Sequence, residues 1–134
     1  MDFRRIIAPK LAGRIMLAGL SLLALFHVLV MLNLLPSNMV WGGRAADSDS
    51  DLIVMEAVAL IVTLLIMAAV AFRMSSFESG RFRIISAIAM WAAFALFVFS
   101  TVGNLTSNVP AEKFVFTPIS VILALLALRL AARE

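Results

Sequence analysis

Four apolar runs, at roughly residues 11–35, 52–72, 84–103 and 117–131, dominate this chain, and most of its charged residues fall in the gaps between them. A hydrocarbon core about 30 Å thick is crossed by about 20 largely apolar residues in a helix. The first three runs reach that length unaided. The fourth reaches it only when its helix begins near Pro110, so the expected spans are about 11–35, 52–72, 84–103 and 111–132. With 63% hydrophobic residues and a mean hydropathy of +1.08, the chain has too little polar surface to clothe a water-soluble globule. The expectation is a single domain: an all-α integral membrane protein folded as an antiparallel up-down-up-down four-helix transmembrane bundle. Loops 36–51 and 104–116 lie at one end and loop 73–83 at the other.

Charge assigns the ends. Nine of the eleven Lys and Arg residues lie at the N-terminus (Arg4, Arg5, Lys10, Arg14), in the second gap (Arg73, Arg81, Arg83) or at the C-terminus (Arg129, Arg133). The other two gaps hold only Arg44, against Asp47, Asp49 and Asp51, and Lys113, beside Glu112. An excess of Lys and Arg in short loops marks the cytoplasmic side. Both termini are therefore expected inside, in a bacterial-type cytoplasmic (inner) membrane. The first run has a basic start, but its apolar stretch continues to Leu35, beyond the core of a cleaved signal, and reads as a retained span.

The same composition narrows the chemistry. The absence of Cys excludes thiol redox relays and Cys-ligated clusters or metals. A pI near 10.6 fits anionic lipid headgroups better than nucleic acid, because the basic residues sit at membrane boundaries. The expected partners are membrane lipids and either a second copy or another membrane protein. Neither nucleophile elbow, phosphate loop nor metalloprotease helix motif is present. No cofactor and no metal are expected. Met31, Met39 and Met55 near His27 suggest Cu(I) softness, but methionine serves as well to fill gaps in a core.

Helix ends are also written locally. Ser48-Asp49-Ser50-Asp51 places cap oxygens and negative charge before the second run. Thr117-Pro118 reads as a helix start, so the fourth helix either begins there or is longer and kinks at Pro118. The longer helix is favoured, since Phe114 and Phe116 belong in lipid.

Small and weakly polar stripes show which faces pack in a membrane. They are Gly13, Leu20, Ala24, His27, Met31 and Leu34 in the first run; Glu56, Ala59 and Thr63 in the second; Ser86, Ala89, Ala93, Ser100 and Asn104 in the third; and Thr117, Ser120, Ala124, Ala127 and Ala131 in the fourth. Trp91 lies off its stripe. His27, Asn33, Glu56, Ser100, Asn104, Thr117 and Ser120 all fall in the outer halves of their spans. Polar groups in lipid should converge on one another or on water, so an outward-facing polar pocket is expected.

Six residues are its candidate ligand-binding groups. Glu56 lies about one turn inside the membrane, where a lone charge is unfavourable, and an intramembrane acid signals function. Paired with Arg44 or Lys113, it would instead be an ordinary helix-start carboxylate. His27 is deeper and suits a proton relay. Asn104 and Ser100 are hydrogen-bond partners, although Asn104 after Gly103 equally suits a helix cap. Trp41 and Arg44, around Gly42-Gly43, read as a lid and an anion contact, or as an interfacial anchor with a glycine turn. Arg14 and Arg129 are expected to snorkel. The leading functional expectation is binding or transport of a small ligand or ion. The others are a non-catalytic accessory protein that docks partners, and a lipid-modifying or isomerising enzyme using Glu56 and His27 as an acid–base pair.

Overall fold

The structure, a computed structural model, describes residues 5–41, 49–75 and 79–132. Those residues are all-helical, without strands: α1 (Pro9–Met31), α2 (Asp49–Met74), α3 (Gly80–Thr106) and α4 (Thr117–Ala131). A 3₁₀ turn (Ser37–Met39) precedes α2, and a π turn (Glu112–Phe116) runs into α4. Four helical stretches, of 23, 24, 27 and 20 residues, are long and apolar enough to cross a membrane.

The helix ends explain these lengths. Pro9 starts α1, where its missing N–H is harmless. The helix then stops at Met31, short of Leu35, because Asn33 turns left-handed (φ 56°). Asn33 N–H bonds Val30 O at 3.0 Å and Leu34 N–H bonds Leu29 O at 2.9 Å, the paired closure that satisfies the last carbonyls of a helix. Asn33 is thus a terminator. Gly80, also left-handed at φ 53°, lets the short second loop turn into α3. Ser48 lies outside the described residues.

The fourth helix does not begin afresh at Pro118: helical backbone runs into it from Glu112 through the π turn. Proline has no N–H, and its ring collides with the carbonyl four residues back. The chain accommodates this upstream with one wide turn, in which Thr117 N–H reaches Glu112 O, five residues back. Thr117 Oγ1 donates to the same carbonyl at 3.2 Å. Helix therefore continues through Pro118, and Glu112–Ala131 attains the 20 residues that α4 alone lacks.

α1 packs chiefly on α2 and α3 on α4, with lesser α1–α4 and α2–α3 contacts. The main core joins Met16 and Leu20 of α1, Val70 of α2, Met90 and Phe97 of α3, and Leu123, Ala127 and Leu130 of α4. The small-residue faces point inward: Ser86, Ala93, Ser120, Ala124, Ala127, Ala131, Thr63 and Glu56 are all buried. The outward faces are bare hydrocarbon, including Leu22, Leu65, Phe99, Phe114 and Trp91.

At one end Arg73 is buried (2% exposed). Its Nε donates to Leu130 O at 3.0 Å, Nη1 to Arg83 O and Ser86 Oγ, both at 3.2 Å, and Nη2 to Ala131 O at 3.4 Å. One guanidinium thus satisfies terminal carbonyls of α4 and ties them to the end of α2 and the start of α3. Beside it, Arg129 Nε donates to Ile7 O at 2.8 Å. Arg129 is buried and turned inward instead of snorkelling, because a main-chain carbonyl before α1 lies within its reach. Arg14, by contrast, is exposed. Gly13 sits under Met74, where an added Cβ would lie 2.1 Å from the sulfur. Gly13→Ala and Met74→Ala are therefore expected to couple by about 1 kcal/mol in a double-mutant cycle of unfolding in micelles, the second change relieving the first. Simple additivity would contradict this contact.

Candidate functional site

At the opposite end three of the expected residues meet. Glu56, on the second turn of α2, is wholly buried. Its Oε2 lies 2.6 Å from His27 Nδ1 of α1, and its Oε1 accepts a hydrogen bond of 2.6 Å from Trp41 Nε1. The helices set this geometry. His27 is one turn before the end of α1, on the face turned to α2, and Glu56 is the inward residue at the corresponding level of α2.

The connecting segment delivers Trp41. After the 3₁₀ turn, Val40 tucks between Val30 and Leu52, with Phe26 and Leu35 packed around them. Trp41 itself is left-handed (φ 55°). For a bulky side chain that conformation costs about 1–2 kcal/mol. Two contacts hold it: the buried Val40 next in the chain and the indole hydrogen bond to a carboxylate. Strain kept in place this way is characteristic of sites that must hold a defined geometry.

Donor logic limits the protonation pattern. Indole N–H can only donate, so Oε1 is an acceptor. One proton lies between Nδ1 and Oε2, carried by either the imidazole or the carboxyl. His27 Nε2 has no hydrogen bond among the described residues, and the His27 side chain is 13% exposed against 1% for Glu56. His27 is thus the partly exposed partner of a sealed carboxylate. Phe26 packs edge-on against His27 (5.9 Å) and against Phe116 (4.9 Å), so the π turn of α4 borders the same region.

Other expected members are placed elsewhere. Ser100 and Asn104 are half-buried on α3, with no side-chain hydrogen bond to the cluster among the described residues. α3 continues two residues past Asn104, so its amide does not cap the helix; its backbone carbonyl accepts from Ser107 N–H. Arg44 lies outside the described residues. The polar bridge between α3 and α4 is made by Thr101 Oγ1 and Ser120 Oγ, 2.9 Å apart. Glu112 is also buried and is bonded by Ser107 Oγ. Sequence reasoning missed Thr101, which stands beside the expected stripe, and set Glu112 aside as a loop acid. No group of three or more metal-ligating His, Cys, Asp or Glu side chains occurs among the described residues. A groove of about 240 Å³ runs between α2 and α3, but none of the site residues lines it.

Comparison with known proteins finds no matching family model, no matching curated protein and no matching solved structure. The geometry alone has to carry the functional reading.

Proposed function

We propose that this chain is an integral membrane protein, up-down-up-down with both termini cytoplasmic, that binds and moves a proton or small cation at its outer end. The positive-inside bias supports that orientation, and a bacterial-type inner membrane fits it. The bare apolar faces of all four helices support insertion in lipid.

One observation carries the functional part. The only acid inside one of the four apolar runs is completely buried and is held by the only histidine and by a strained tryptophan. Glu56 is the charge and proton acceptor. His27 passes the proton between Oε2 and the bundle exterior through its two ring nitrogens. Trp41 is a lid: withdrawing its N–H uncovers Oε1 and lets the left-handed residue relax.

The test is proton flux into liposomes holding a pH-sensitive dye, driven by a potassium diffusion potential. Liposomes with the protein should acidify faster than empty ones, and Glu56→Gln should return the rate to the empty-liposome baseline. An undiminished rate in that variant would remove the carboxylate assignment.

A second reading draws on the fact that both Glu56 oxygens are satisfied within the chain. The cluster then only fastens α1, its following loop and α2, and the protein is a non-catalytic accessory that docks other membrane proteins. On that reading the variant lowers stability, and protein and empty liposomes acidify alike.

A further inference from the structure

Hydrogen-bond counting at Glu56 sets how many protons the cluster holds with its lid shut. Glu56 has two partners, His27 Nδ1 at Oε2 and Trp41 Nε1 at Oε1. One proton between Nδ1 and Oε2, with the indole N–H at Oε1, leaves every one of these groups paired. Further protonation upsets that balance. Once the imidazole carries both ring protons and the carboxyl is protonated as well, Nδ1–H faces Oε2. The acid proton then falls to Oε1, where the indole N–H already points. Three donors meet two oxygens. Glu56 is wholly buried, so bulk water does not take the third, and a buried donor without an acceptor is unfavourable.

Of the two contacts, the indole is the one that yields. A hydrogen bond from an imidazolium is charge-assisted and about twice as strong as one from a neutral donor. His27 is anchored within α1, which continues to Met31. Trp41 instead follows a 3₁₀ turn and holds a left-handed φ of 55°, a strain that its release relieves. It is already 39% exposed, so its ring can swing outward without crossing the core.

Few other charges face the cluster. His27 is the only titratable residue in the outer half of α1, residues 32–41 carry none, and α3 carries none after Arg83. On α2, Asp51 is exposed and lies about 140° round the helix from Glu56. The side chain of Asp49 lies outside the described residues, as do Arg44 and Asp47. On the π turn, which borders the site through Phe116, Lys113 is exposed and Glu112 is buried and bonded by Ser107 Oγ.

We propose that Trp41 is an acid-released lid: protonating both Glu56 and His27 expels the indole and opens Oε1 to the outer side. The proposal rests on the lid role given to Trp41 above and adds the signal that moves it.

The experiment is acrylamide quenching of Trp41 fluorescence in the full chain carrying Trp91→Phe, in detergent micelles. It compares about pH 8 with about pH 4, a range that spans ordinary imidazole and carboxyl titration. Quenching should rise several-fold in acid, reversibly, with helical content by circular dichroism unchanged. Unchanged quenching, or a rise that comes only with loss of helicity, overturns the lid. His27→Asn keeps a donor at the place of Nδ1, and its amide can turn its oxygen toward the carboxyl proton. Trp41 should therefore stay shut in that variant at both pH values, and a rise equal to the parent's overturns the three-donor account. Glu56→Ala should be open at both, and an acid rise there as large as the parent's places the response elsewhere. Glu112→Gln should respond as the parent does; loss of the response would assign the signal to the π turn. No proton crosses a membrane in this assay, so a missing liposome flux removes the relay and leaves the lid.

Discussion

Replacing Arg73 with alanine is expected to lower the unfolding free energy by about 3 kcal/mol, read from SDS-driven loss of helicity in mixed micelles. The side chain is almost fully buried and donates to main-chain carbonyls at the end of α4 and the start of α3 and to Ser86. Removing it leaves Ala131 O and Ser86 Oγ without their guanidinium donor, while Arg83 O keeps only Ser86 Oγ and Leu130 O only the Ala132 N–H of the helix end, and each unsatisfied buried group costs about 1–3 kcal/mol. Water reaching this end of the bundle would recover part of that. Arg73→Lys should recover less than half the loss, since an ammonium retains the charge but cannot span several acceptors in one plane. A loss below about 0.5 kcal/mol for the alanine variant would mean that the guanidinium is not a fastener.

The second large effect is expected at Glu56→Ala, which removes the acceptor from His27 and Trp41 together. Two charge-assisted hydrogen bonds are lost, and the left-handed backbone of Trp41 loses its restraint, for a cost of about 2 kcal/mol. Fluorescence gives the direct readout. In a Trp91→Phe background, Trp41 is the single emitter, and its emission should move to the red and become several-fold more accessible to iodide. Glu56→Gln should change it far less, because the amide oxygen still accepts from the indole N–H. Identical quenching in the parent and in Glu56→Ala would show that the carboxylate does not hold the indole.

These two residues differ in how far the sequence disclosed them. Glu56 stands out as the only acid inside an apolar run, and its link to His27 follows from two inward stripes at the same level. The indole contact was not legible as geometry, because it depends on a left-handed backbone that non-glycine residues seldom adopt. Arg73 read only as one more cytoplasmic charge. Its role is fixed by helix ends that lie 57 and 58 residues along the chain, which no periodicity reveals. Helix number and inward faces were legible because apolar length and 3.6-residue spacing are local properties. Ser100 and Asn104 share the α3 stripe with Ser86 and Ala93, yet a stripe tells only which side a residue faces and not whether a partner is opposite. Thr101 found Ser120 because α4 is the neighbour on that side.

The π turn before Pro118 inserts one extra residue into an otherwise regular helical count, and so resets the angular phase of everything after it by roughly 100°. The packing face of α4 begins its count only at Thr117, so a one-residue deletion is more tolerable inside that turn than beyond it.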